Sequence, residues 1–186
     1  RELLFNTDPT NVNSVPNPPV EPIVYFDFED DSSDDMVLDV TRFGNDGEIN
    51  GDVSFSEAND GAPAGSTPGR SGVFEGGHLK VFGIDMIEDL RDIDDGDYTL
   101  ACWLWIEDGA VSGERFIFGQ GSQGVHNGVR THGSNGNIPA LHTAHWGADG
   151  SADTELEAEI WYHAVWTYDG ADDIANIFLN GENDLL

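Results

Sequence analysis

The sequence predicts an all-β fold of two packed antiparallel sheets, and three observations lead there. Residues 159–170 run Glu-Ile-Trp-Tyr-His-Ala-Val-Trp-Thr-Tyr-Asp-Gly. If extended, Ile160, Tyr162, Ala164, Trp166 and Tyr168 point to one side and Trp161, His163, Val165 and Thr167 to the other, the period of two expected of a strand. Asp169-Gly170 then turns the chain into a short strand at 176–179, and Asn180-Gly181 closes a hairpin because both residues tolerate positive φ. Finally, 23 glycines and 38% hydrophobic residues over 186 positions suit a loop-rich β-protein with one sizeable core. Strands apolar on both faces need a second sheet to cover them.

The remaining elements follow in chain order. Residues 1–20, with Pro9, Pro16, Pro18 and Pro19 among asparagines, read as an extended linker or arm tipped by the apolar Leu3-Leu4-Phe5. The domain proper is expected over 21–186. Its first strand is Ile23-Val-Tyr-Phe-Asp-Phe28, followed by an acidic loop, Val37-Leu-Asp-Val40 and the turn-rich Thr41-Arg-Phe-Gly-Asn-Asp-Gly47. A short strand is expected at 51–55, a loop at 57–69 and mainly loop at 84–97. Residues 98–107 alternate as a central strand, and 115–119 form the next. The stretch between Gly119 and Glu159 is irregular, with short strands expected around Val125, Val129, Ala140-Leu141 and Ala144. Trp103, Trp161 and Trp166 read as core.

Composition narrows the function. Asp and Glu number 36 against 7 Lys and Arg, a formal charge of -29, which speaks against nucleic acid or an anionic membrane as partner. No run approaches the length of a transmembrane helix. The single cysteine, Cys102, excludes an internal disulfide and sits on the face of Leu100 and Leu104 as a small buried thiol. The chain starts at Arg1 without a signal peptide and reads as processed or excerpted.

Trp161-Tyr162-His163-Ala164-Val165, Thr167-Tyr168-Asp169-Gly170 and Phe178-Leu179-Asn180-Gly181 together resemble the W-x-H-V-A…T-Y-D-G…Y-V-N-G signature of laminin G-like, concanavalin A-like domains. Further upstream, Asp39, Gly44, Asn45, Asp46 and Gly47 stand where that family has D-x-S-G-x-x-N-D-G, with Arg42-Phe43 replacing its small residues, and residues 72–81 resemble its A-L-x-F-D-G-x-x-x-V hairpin, which implies a hairpin there. The resemblance covers 23–181 and implies a two-sheet antiparallel jelly-roll sandwich, an extracellular location at the cell surface or in secretion, and a binding or adhesion role. The family's closing strands, including a G-x-I-D-x-V segment, are missing after the Asn180-Gly181 hairpin. The resemblance therefore implies that the edge at the first strand is filled by residues outside this chain or by a neighbouring chain, the arm being long enough to reach one.

Three groups of residues are candidates for chemistry. His126, Asn127, Arg130, His142, His145, Trp146 and Asp149 combine planar aromatic surface with directional polar groups, which is what a sugar site needs. The same region matches no recognised zinc spacing, and on a strand His142 and His145 would face opposite sides. Asp39, Asn45 and Asp46 either cap turn amides or offer hard oxygens to a calcium ion. Glu155, Glu157 and Glu159 place three carboxylates on one face of an extended segment, an arrangement similar to that of retaining β-glucanases but without their central aspartate. The expected function is a non-catalytic module that binds glycans or glycoproteins. The alternatives are an assembly module contacting neighbouring chains and, less directly, a glycoside hydrolase.

Overall fold

The computed structural model describes residues 22–29, 35–57, 69–82, 97–108, 113–119, 125–130, 138–145, 149–172 and 174–185. Among them are thirteen strands and no helix, so no described helix is long and apolar enough to cross a membrane. The chain divides into two compact units: Arg1–Ala62 with Thr67–Gly83, and Pro63–Ser66 with Ile84–Leu186. The arm at 1–20 and the stretch 84–96 lie outside the described residues.

The first unit holds β1 (Met36–Val37), β2 (Gly47–Asn50), β3 (Val53–Phe55), β4 (Gly72–Phe74) and β5 (His78–Val81). β2 pairs antiparallel with both β1 and β5, and β3 pairs with β4. The expected hairpin over 72–81 is therefore not one: its halves pair outward, with β3 and β2, and not with each other. Glycines explain the difference. Gly51 (φ 82) and Gly76 (φ 111) kink both limbs without reversing either, and the Asp52 carbonyl accepts from the Glu75 and Gly77 amides at 3.1 Å each across the kink. The strand expected at 51–55 consequently starts only at Val53, and Gly47, read as the end of a turn, opens the strand Gly47–Asn50.

Residues 23–28 also depart from the expected ladder. Their backbone is tied instead to the Asp39–Asn45 turn. The Tyr25 amide donates to Asp39 Oδ1 at 2.9 Å, the Val40 amide to the Tyr25 carbonyl at 3.0 Å, and Asn45 Nδ2 to the Ile23 carbonyl at 2.7 Å. The Asp39 carboxylate thus takes the Tyr25 amide, a donor that a partner strand would otherwise satisfy. Phe28 leaves this segment with a φ of 60 and places its ring 6.4 Å from Phe26 and Phe55 and 6.3 Å from Phe74.

The second unit is a two-sheet sandwich. One sheet orders β13 (Glu182–Asn183), β12 (Ile174–Leu179), β11 (Trp161–Asp169) and β6 (Tyr98–Trp105). The other orders β10 (Gly150–Ser151), β9 (Ala140–His145), β8 (Val125–Arg130) and β7 (Glu114–Gly119). All these pairs are antiparallel. As expected from the alternation, Tyr162, Ala164, Trp166 and Tyr168 are buried along β11. Ala164 and Trp166, with Ile177 and Leu179 of β12, pack into one core with Val129 of β8 and Ala140 and Leu141 of β9. The Phe118 ring of β7 meets Trp166 edge-on at 5.9 Å, and the indole N–H of Trp166 donates to the His142 carbonyl at 3.1 Å. That bond matters because a buried N–H without a partner is costly.

The opposite face of β6 and β11 is not core. Trp103 stands opposite His163, and Trp105 opposite Trp161; Trp103 is 53% and Trp105 41% exposed. Trp103 and the half-buried Trp161 thus leave the core they were expected to join, because the register places both on the outward face. The hairpin at the end is as expected: Asn180 (φ 52) and Gly181 (φ 88) both lie in the left-handed region that a two-residue turn requires. Asn180 adds a fixing contact, accepting the His163 amide on Oδ1 at 3.0 Å.

Candidate functional site

The site is built on the outward face of β7, β8 and β9. Along β8, Asn127 and Val129 are buried, Val129 within the core, while His126, Gly128 and Arg130 occupy the alternate face. β7 carries a bulge between Phe116 and Phe118, so that Phe116 pairs with Gly128 while Phe118 pairs with Asn127. The extra residue lets Ile117 and Phe118 both pack on the core and leaves Phe116, 61% exposed, on the outward face. Gly128 is what permits this approach of strands. A Cβ at that position would collide with the Arg115 carbonyl oxygen and come within 3.1 Å of the Phe116 Cα.

Four polar side chains from three adjacent strands gather there. Glu114 pairs in register with Arg130, and its Oε1 lies 2.6 Å from the guanidinium. The His126 ring packs 4.0 Å from the Phe116 ring and 4.9 Å from that of His142, centroid to centroid. Gly128 stands opposite His142, and this bare position admits the contact between the two imidazoles. Ligand atoms of Glu114, His126 and His142 all lie within 4.8 Å of one another. His142 is only 1% exposed. Among the described residues, neither of its ring nitrogens has a hydrogen-bond partner, nor have the buried His126 Nε2 and Arg130 Nε.

Electrostatics keep both imidazoles neutral. Burial, then the Arg130 charge and the neighbouring His126, bring the His142 pKa down to about 4, against the opposing carboxylates of Glu114 and Asp149. Burial lowers that of His126 as well, again partly offset by Glu114 and Asp149. At neutral pH the cluster therefore presents uncharged ring nitrogens with lone pairs, one guanidinium and one carboxylate, beside an exposed phenyl face.

Of the residues expected to form a rim, the structure brings His126, Arg130 and His142 together. Asp149 is exposed and close enough to act on both histidines through its charge. Asn127 belongs on the other face: it is buried, with Nδ2 donating to the Tyr98 hydroxyl at 3.4 Å, because each step along a strand reverses the direction of the side chain. The side chain of His145 and all of Trp146 lie outside the described residues. Glu114 and Phe116 were missed by sequence reasoning. Neither has a local motif, and only the β7–β8 register reveals them.

Asp39, Asn45 and Asp46 stand in the first unit. Asp39 Oδ1 accepts from the Tyr25 and Thr41 amides at 2.9 and 3.0 Å, and Oδ2 from the Thr41 hydroxyl and the Asn45 amide at 2.7 and 2.9 Å. Asp46 Oδ1 accepts the Asp39 amide at 2.9 Å. Burial alone would raise the Asp39 pKa, but these donors, the Thr41 hydroxyl first, outweigh it and hold the pKa below the ordinary value. This is the geometry of a turn cap, with the carboxylate's acceptor positions filled by protein donors.

Glu155, Glu157 and Glu159 are all exposed, and their segment is not extended. Glu159 has a φ of 61 and donates its amide to the Ile106 carbonyl at 2.8 Å, while the Glu157 amide is held by the Tyr162 hydroxyl at 3.0 Å. Cys102 is inert, its thiol pushed up to about 12 by burial.

A family model, Laminin_G_3, described as concanavalin A-like lectin/glucanases superfamily, matches residues 84–185. No curated protein and no solved structure matches the chain.

Proposed function

The chain belongs to the Laminin_G_3 family of the concanavalin A-like lectin/glucanases superfamily, and from that premise we propose that it is a secreted or cell-surface, non-catalytic module that binds glycans or glycoproteins at the outward face of β7–β9. The observation that supports this reading is the exposed Phe116 ring set against His126, next to the Glu114–Arg130 pair. A pyranose has an apolar face that settles on an aromatic ring and hydroxyls that need fixed donors and acceptors beside it. Arg130 and Glu114 supply a donor and an acceptor in fixed register.

A glycan array tests the reading. The wild-type chain should bind a defined set of sugars, and Phe116→Ala and Arg130→Ala should each abolish most of that signal without altering the melting temperature greatly. Undiminished binding by both variants would remove this face from consideration.

The assembly alternative is favoured by the exposed Trp103 and Trp105 on the outward face of β6. Its mark is association that grows with protein concentration in the absence of any sugar. The calcium reading of Asp39, Asn45 and Asp46 would require an ion to displace amide donors already in place. Thermal unfolding that is the same in calcium and in chelator is the result expected of a cap.

A further inference from the structure

We propose that Glu114, His126 and His142 form a binding site for a divalent first-row transition metal of the zinc class. Three observations carry it. The donors come from three neighbouring strands, β7, β8 and β9, and lie within 4.8 Å of one another, so the ladder rather than a loop holds the set together. His142 is almost wholly buried with both ring nitrogens unpartnered among the described residues, and the buried His126 Nε2 is likewise unpartnered beside it. Buried polar atoms in a native protein are nearly always satisfied, and an ion among these rings would satisfy one nitrogen of each. The donor chemistry is also selective. Two imidazoles and one carboxylate suit zinc and its neighbours, whereas calcium and magnesium take oxygen ligands.

Geometry makes a specific demand on the chain. With metal–ligand bonds of about 2.0–2.1 Å, tetrahedral donors stand roughly 3.3 Å apart. Glu114 and His126, both half-buried, must therefore swing inward toward His142, which is fixed by its burial in β9. Arg130 has two effects. Its ion pair with Glu114 Oε1 orients the carboxylate beside the two histidines. Its positive charge also repels a cation, a repulsion offset by the nearby Asp149. Three protein ligands leave a fourth position open, which solvent or a ligand hydroxyl would take. The site draws on residues of the glycan reading without resting on it, since coordination requires no sugar.

The test is calorimetric titration of zinc chloride into the untagged full chain, first stripped with chelator and with no glycan present. Calcium and magnesium chlorides are titrated in parallel. Expected is one zinc per chain, with calcium and magnesium binding at least about a hundredfold more weakly. Glu114→Gln and His126→Ala should each weaken zinc by at least about tenfold, which is 1.4 kcal/mol. His142→Ala opens a void in a buried region and is used only if its circular dichroism matches the wild type. Cobalt chloride gives a second readout that a structural role would not move: intense visible absorption of a tetrahedral complex, lost in Glu114→Gln and His126→Ala. No zinc binding by the stripped wild type would overturn the proposal, as would zinc binding of equal strength in Glu114→Gln and His126→Ala.

Discussion

Trp166 is fully buried between the sheets of the second unit, its ring against Phe118 and its N–H on the His142 carbonyl. Trp166→Ala removes the largest wholly buried side chain among the described residues and should destabilise the chain by about 3–5 kcal/mol, read as a lower denaturant midpoint. Trp166→Phe keeps most of the volume but leaves the carbonyl without its donor, so a smaller loss, about 1–2 kcal/mol, is expected by the same measurement. Asp39 carries a different kind of weight, because four donors converge on its carboxylate. Its pKa in the folded chain lies below the ordinary 3.8 that it regains on unfolding. The unfolded state then binds the proton first. The stabilisation is fully present above about pH 4 and drains away as pH falls through the folded pKa. In Asp39→Asn that part of the acid dependence should vanish, so wild type and variant should converge in melting temperature as the solution is acidified. A constant gap between their melting temperatures from pH 7 to pH 2 would contradict the cap.

At the scale of elements, glycines decide where strands can meet. Gly128→Ala drives a methyl into the Arg115 carbonyl, so β7 must part from β8. The expected loss is about 1–3 kcal/mol, together with loss of whatever the Glu114–His126–His142 face binds, since that face exists only while the two strands stay in register. Gly181→Ala tests the terminal hairpin: a φ of 88 should cost about 1–2 kcal/mol with an alanine there. Much at this level was legible in the sequence. The alternation at 98–105 and 161–169 and the Asn180-Gly181 turn correspond to β6, β11 and the β12–β13 hairpin. Alternation, however, reports that residues share a face and not what covers the face, so Trp103 read as core. Nor does it report partners: residues 72–81 read as a hairpin although their limbs pair elsewhere, and 23–28 as a strand although Asp39 holds their backbone. The candidate site suffers most from this gap. His126, Arg130 and His142 were visible as residue types, but their neighbours Glu114 and Phe116 join them only through cross-strand register and a bulge, neither of which leaves a local mark.

Across the whole molecule acidic charge prevails, with 36 acidic residues against 7 basic ones. Self-repulsion on that scale opposes compactness and is screened by salt. Melting temperature should rise steadily as sodium chloride is raised in the presence of chelator; a flat or falling curve would mean that local pairs such as Arg130–Glu114 outweigh the net field. The tryptophans on the two faces of the β6–β11 sheet lead somewhere else. Trp166 lies in the dry interior, while Trp103 and Trp105 meet solvent on the far side of the same pair of strands. Trp166 should fluoresce at shorter wavelength and resist acrylamide, and the outer pair should fluoresce to the red and quench readily. One sheet thus carries two optical reporters back to back. A molecule settling on the outer face would shift the red component and spare the blue, whereas opening of the sandwich would move the blue component first.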